Sequence, residues 1–149
     1  MIREMKIEDC SIVSQIDAQC FPVPWSEEQY KREFNENEFA YLYVLEDHNE
    51  IIGFIDFWIT FEECQLAQIA VHPSHRRKGI ADLMMQKMES IANQEGCERI
   101  TLEVRVSNTA ARSLYAHYDY MELNIRKGYY SDNGEDALVM CKALGGGNA

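Results

Sequence analysis

Three groups of residues in this 149-residue chain have the types and spacing to do chemistry. The stretch "LEVRVSNTAARSLY" carries Glu103 inside a run of branched apolar residues and Tyr115 at the end of a helical pattern. A carboxylate takes a proton near neutral pH, and a phenol with pKa ~10 stays protonated and supplies one. The stretch "AVHPSHRRKGIADLMMQKM" leads from a strand through Arg76, Arg77 and Lys78 to Gly79 and then to a helical pattern. Unpaired N–H groups and partial positive charge at a helix start bind phosphate, and glycine lets a ligand approach the backbone. The third group is weaker. His72 and His75, with Cys64 upstream, form part of a metal set, but no second Cys/His pair has zinc-finger spacing and no metal is expected.

Each group also has a plainer reading. Alternation puts Ile100, Leu102, Val104 and Val106 on one face of a strand and Thr101, Glu103 and Arg105 on the other, so Glu103 fits a polar face beside a cation. Tyr115 falls on a stripe with Ala110, Ala111, Leu114 and Tyr118, where tyrosines are usually core. The basic loop is neither a Walker A loop nor a dinucleotide G-x-G-x-x-G. It reads as an anion-binding helix start or as a plain surface loop.

The elements that would position these groups are legible from periodicity. "MIREMKI" reads as a strand, Asp9 as the cap of a helix to about Cys20, and Ser26 with Gln29 as a capping box opening a second helix. Two apolar runs around "DHNE" predict an antiparallel hairpin, and "CQLAQIAV" a further strand. Ile80, Leu83, Met84, Met88 and Ile91 mark a helix that stops at Gly96. "RITLEVRV", "TAARSLYAHY", "MELNIRK" and "EDALVMCK" add a strand, a helix and two strands. The order β-α-α-β-β-β-α-β-α-β-β predicts an α/β fold with a mixed sheet and helices on both faces. One domain over residues 1–144 is expected, with a flexible glycine-rich tail over 145–149.

Composition narrows the function. Apolar residues make up 46% and charged residues 26%, with a formal net charge of −11, which argues against nucleic acid as a partner and permits cationic ones. Residues 26–50 hold eight acids and two bases, whereas residues 64–81 hold no acid and the basic cluster. No membrane span or signal segment is legible, and five widely spaced cysteines suit a reducing compartment. A cytoplasmic monomer is expected.

The spacing R-x-x-G-x-A at residues 76–81, between a strand and a helix, resembles the acetyl-CoA pyrophosphate loop of the GNAT N-acetyltransferases. The element order resembles that fold over nearly the whole chain, where the central sheet is mostly antiparallel. "PWS" at 24–26, "LEVRVSNTAARSLY" at 102–115 and "RKGYYSDNGEDALVM" at 126–140 resemble the ribosomal-protein alanine N-acetyltransferases, which act on the α-amino group of small-subunit protein S18.

The resemblance implies acetyl-CoA as co-substrate, a protein N-terminus as acceptor, and direct transfer in a ternary complex. It implies phosphate contacts around Arg76, Arg77, Lys78, Gly79, Ile80 and Ala81, pantetheine contacts along Ile69, Ala70 and Val71, and a coenzyme contact at Asn108 that is also a favoured helix cap. It makes Glu103 the base and Tyr115 the acid. Phe21, Trp25, Tyr129 and Tyr130 would frame the acceptor, or serve as packing aromatics. Acetylation of a small amine such as a polyamine or antibiotic, and a silent acyl-CoA sensor, stay open. A cysteine nucleophile at Cys64 or Cys97 lacks a recognisable base. The family's usual Gly-Phe after the "LY" helix is Asp119-Tyr120 here, and aspartate tolerates the left-handed cap less well, so a different helix end is expected.

Overall fold

The computed structural model describes residues 1–145, so residues 146–149 of the expected tail lie outside the described residues. The chain runs β1 (Ile2–Glu4), α1 (Cys10–Cys20), α2 (Glu27–Glu36), β2 (Ala40–Asp47), β3 (Glu50–Thr60), β4 (Glu63–Val71), α3 (Ile80–Gln94), β5 (Arg99–Arg105), α4 (Thr109–His117), β6 (Met121–Arg126) and β7 (Ala137–Ala143). This is the order that periodicity predicts. The seven strands form one sheet in the order β1-β2-β3-β4-β5-β7-β6. Every neighbouring pair is antiparallel except β4 and β5.

Alternation along the strands feeds a core on each face. Ile55, Phe57, Leu66, Ile100, Leu102 and Val104 pack with Met84, Met85 and Met88 of α3 and Tyr115 of α4. Phe54 and Ala70 point the other way and pack with Val13 and Ile16 of α1 and Tyr30 of α2. Glu103 lies between Leu102 and Val104, so it belongs to the α1/α2 face. Gly53 sets how closely α3 approaches the sheet. A Cβ there would lie 3.1 Å from the Ala70 carbonyl oxygen and 3.3 Å from Ile80 Cγ2.

Local signals at the helix ends divide into those the fold uses and those it overrides. The Ser26–Gln29 box forms in both directions, with Gln29 N–H donating to Ser26 Oγ at 3.2 Å and Ser26 N–H to Gln29 Oε1 at 2.8 Å. Asp9 does not cap α1. Its carboxylate turns back to accept from Lys6 N–H at 2.8 Å and pairs with Arg3 at 2.8 Å, because a short 3-10 turn precedes the helix. Leu83 is exposed, since the buried face of α3 centres on Met84, Met88 and Ile91 and turns Leu83 aside. Ala110 is likewise exposed on α4.

The end of α4 departs from expectation in an instructive way. Asp119 takes the left-handed conformation at φ 69°. Its N–H reaches the Ala116 carbonyl at 3.0 Å, and Tyr120 N–H reaches the Tyr115 carbonyl at 3.0 Å. Those two bonds are the pattern that a glycine normally caps. The helix therefore ends as it would with glycine. Tyr120 is buried with its ring 6.0 Å from that of Tyr115.

Candidate active site

The two halves of the sheet part company between β4 and β5. Their parallel pairing covers Glu63↔Arg99, Cys64↔Ile100 and Gln65↔Thr101 and goes no further, although β4 runs on to Val71 and β5 to Arg105. The cause lies in β4. Its register with β3 shifts between Leu66 and Gln68, leaving Ala67 as an extra residue. Such a bulge bends its strand and ends pairing. The result is a gap with bare backbone on its β4 wall.

Which groups face that gap follows from one hydrogen bond. His72 N–H donates to the Ile52 carbonyl at 2.8 Å, so His72 backbone groups face β3. By alternation those of Ala70 also face β3, and those of Ile69 and Val71 face the gap. Of the three residues proposed to touch pantetheine, Ile69 and Val71 thus offer backbone polar groups, and Ala70 does not. The Val71 carbonyl accepts the Cys20 thiol at 3.4 Å.

The loop that leaves β4 carries basic side chains and delivers open amides to the start of α3. Arg77 and Gly79 both have left-handed backbones, at φ 64° and 75°. Leu83 N–H reaches back to the Gly79 carbonyl at 3.2 Å, which leaves the N–H groups of Ile80, Ala81 and Asp82 without a partner inside α3. Arg76, Arg77 and Lys78 are exposed and, among the described residues, none of them is in an ion pair. Asp82, the acid of that first turn, accepts the Tyr118 hydroxyl at 2.7 Å. Asn108 caps α4, its Oδ1 accepting Ala111 N–H at 3.1 Å, which leaves its amide nitrogen for another partner.

Glu103 and Tyr115 flank the gap from opposite faces of the sheet. Glu103 holds two partners from one segment, Arg126 Nη1 at 2.5 Å and the Tyr129 hydroxyl at 3.0 Å. Tyr115 is buried on the α3/α4 face, and its hydroxyl makes no hydrogen bond among the described residues. Burial, together with the neighbouring Tyr130, pushes its pKa well above the ordinary phenol value, so it stays protonated.

The residues expected around the acceptor rise on the Glu103 face. Tyr129 and Tyr130 meet edge-on at 5.1 Å. Tyr130 lies under the Arg105 guanidinium at 4.0 Å, and burial pushes its phenol up to about 12. Arg105 in turn bridges Asp132 at 3.0 Å and Glu135 at 3.2 Å, which pins the β6–β7 loop to β5. Trp25 packs on Tyr30 at 5.2 Å, and its backbone N–H donates to Asp17 Oδ2 at 3.2 Å. Phe21 is half-buried against the same cluster.

Sequence reasoning missed the bulge at Ala67, the Arg126 and Arg105 pairs, and Asp56. Asp56 is fully buried in β3 with neither carboxylate oxygen hydrogen-bonded among the described residues, and burial beside Glu33 pushes it up to about 10. An acid within the apolar run "IIGFIDFWIT" was the available signal. The cysteine alternative weakens. Cys64 and Cys97 are fully buried, and burial pushes the Cys64 thiol up to about 12, far from a thiolate nucleophile.

Known proteins resemble this chain over most of its length. The sequence profile described as the Acetyltransferase (GNAT) family matches residues 11–120. A Bacillus subtilis protein, provisionally named a ribosomal protein bS18-alanine N-acetyltransferase, is 34% identical over 93% of this chain and 92% of its own length. The Haemophilus influenzae ribosomal protein bS18-alanine N-acetyltransferase is 34% identical over 91% of this chain and 94% of its own. The crystal structure of the ribosomal-protein-S18-alanine N-acetyltransferase from Escherichia coli superposes with a TM-score of 0.87 at 27% identity, covering 97% of this chain and 93% of that one.

Proposed function

This chain belongs to the GNAT acetyltransferase family, and from that premise we propose that it transfers the acetyl group of acetyl-CoA to the α-amino group of a protein N-terminus, with the N-terminal alanine of ribosomal protein S18 as acceptor. The observation that carries the reading is the β4–β5 gap, open to backbone groups of Ile69 and Val71, with Glu103 on one face and Tyr115 on the other. The names of three similar proteins support the acceptor.

The pyrophosphate binds the N–H groups of Ile80 and Ala81 and the left-handed loop before them, while Arg76, Arg77 and Lys78 supply charge. The pantetheine arm lies in the gap and pairs with Ile69 and Val71 as an added strand would. Asn108 uses its free amide nitrogen on the coenzyme. The thioester then sits between the two faces. An α-ammonium with pKa ~8 loses its proton to Glu103, and the neutral nitrogen attacks the carbonyl carbon. A C–N bond forms while the carbonyl electrons move to oxygen, which the Val71 N–H stabilises. Collapse breaks the C–S bond, the Tyr115 hydroxyl protonates the departing thiolate, and the second proton of the attacking nitrogen leaves to water, which restores the phenol and takes the proton held by Glu103. Phe21 and Trp25 on one side and Tyr129 and Tyr130 on the other frame the first residues of the acceptor.

Mass spectrometry of acetyl transfer to peptides varied at the first residue, with free polyamines alongside, tests this. A basic peptide beginning with alanine is expected to gain one acetyl group on its α-amine. Preference for polyamines would overturn the acceptor class. Coenzyme binding without transfer to any amine would favour the sensor.

A further inference from the structure

We propose that Arg126 is the positioning residue for the base: its guanidinium fixes the Glu103 carboxylate through Oε2, and the arriving α-amine takes the place of the Tyr129 hydroxyl on Oε1. This rests on the reading of Glu103 as the proton acceptor. Three contacts tie the groups together. Arg126 Nη1 lies 2.5 Å from Glu103 Oε2, the Tyr129 hydroxyl lies 3.0 Å from Oε1, and the guanidinium carbon lies 4.5 Å from the centre of the Tyr129 ring. Both carboxylate oxygens are thereby fixed by one short segment. Rotation of a free carboxylate would otherwise spread the proton acceptor over several directions, and misplacement of a reacting group is costly to rate.

The strand order makes this contact possible. Arg126 ends the edge strand β6, and β7 separates it from β5. Ala137 of β7 pairs with both Arg126 and Arg105. A methyl group there leaves a lane across β7 through which the long side chain reaches Glu103. Arg105, two residues from Glu103 on the same face of β5, is already held by Asp132 and Glu135. Arg126 is therefore the one cation on Glu103 among the described residues.

The pairing also shapes how an amine enters. An α-ammonium approaching Oε1 meets a carboxylate already oriented through Oε2. Arg126 also rests on the Tyr129 ring, so it can keep Oε2 while the Tyr129 hydroxyl yields Oε1. Arg126 competes with the ammonium for the charge of the carboxylate while keeping that carboxylate in position. Those two effects oppose each other in KM and kcat, which a purely structural prop would not do.

Steady-state kinetics with an alanine-start basic peptide at saturating acetyl-CoA, on wild type, Arg126→Met, Arg126→Lys and Glu103→Gln, tests the proposal. Arg126→Met is expected to lower kcat about 10- to 100-fold. The peptide KM is expected to fall by up to about fivefold as the competing cation is lost. Acetyl-CoA affinity and melting temperature stay at the wild-type values, and Arg126→Lys restores most of kcat. An unchanged kcat in Arg126→Met overturns the proposal. So does a raised KM with kcat intact, which makes Arg126 a prop for the Tyr129 loop. Wild type that acetylates no N-terminal peptide instead overturns the function, and Glu103→Gln at wild-type kcat overturns the base, so each failure is distinct.

Discussion

The two walls of the β4–β5 gap are made of different materials. The β4 wall and the loop after it present backbone: Ile69, Val71, and the amides at the start of α3. The β5 wall presents side chains held by other side chains: Glu103 by Arg126 and Tyr129, and Arg105 by Asp132 and Glu135. Backbone suits a co-substrate that is the same in every turnover, because its amides and carbonyls need only correct φ and ψ. Side chains suit an amine that must be deprotonated on arrival, because only they titrate.

That contrast predicts separable defects. Glu103→Gln removes the proposed proton acceptor and leaves the backbone wall intact. The expected loss in kcat is about 10²- to 10⁴-fold, with acetyl-CoA affinity unchanged by calorimetry. Gly79→Ala should do the reverse. Its φ of 75° strains any residue with a Cβ by roughly 1–2 kcal/mol, although the Cβ itself would meet nothing. Relaxation of the loop should raise the KM for acetyl-CoA about tenfold, with kcat retained at saturation. If Gly79→Ala lowered kcat and spared KM, the division of labour between the walls would fail.

The same division explains what the sequence could show. The anion loop is contiguous, so strand, basic residues, glycine and helix can be read in one pass from Ile69 to Ala81. The capping box at Ser26 and Gln29 is local for the same reason. Arg126 stands 23 residues from Glu103 and on the far side of β7, and only the order β5-β7-β6 brings them together. Alternation did put Glu103 on a polar face, but it could not name its cation. The Ala67 bulge was hidden because Leu66, Ala67 and Gln68 keep an ordinary strand composition. Asp9 misled because its backbone partner is three residues upstream, whereas a helix cap reaches forward.

A second comparison sets two acids of the α1/α2 face against each other. Glu103 has a cation and a phenol, while Asp56 has neither and sits fully buried. Asp56 keeps its proton up to about pH 10 in the folded protein, and the unfolded chain releases it near the ordinary carboxylate value of ~4. Between those limits the folded state holds the extra proton, so Asp56 makes stability fall as pH rises. Asp56→Asn keeps the shape and removes the titration. The variant should gain on the order of 1 kcal/mol or more at pH 8, and less at pH 5, in urea unfolding at the two pH values. An equal effect at both would mean that Asp56 is charged in the fold.

The smallest expected effect concerns the end of α4, beside Tyr115, the proposed acid. Asp119 completes the same pair of hydrogen bonds that a glycine would, but with a Cβ in a left-handed backbone. Aspartate bears that conformation better than most residues, so the cost is modest. Asp119→Gly removes the Cβ at a further cost in unfolded-state entropy, and the net gain should be a few tenths of a kcal/mol to about 1 kcal/mol. Because the bonds from Asp119 to Ala116 and from Tyr120 to Tyr115 persist, Tyr115 should stay in place and kcat should not change. Thermal melting and kinetics on one preparation check both halves. A gain in stability accompanied by a change in kcat would show that the strained cap sets the position of Tyr115, and that the acid depends on local backbone as closely as the base depends on Arg126.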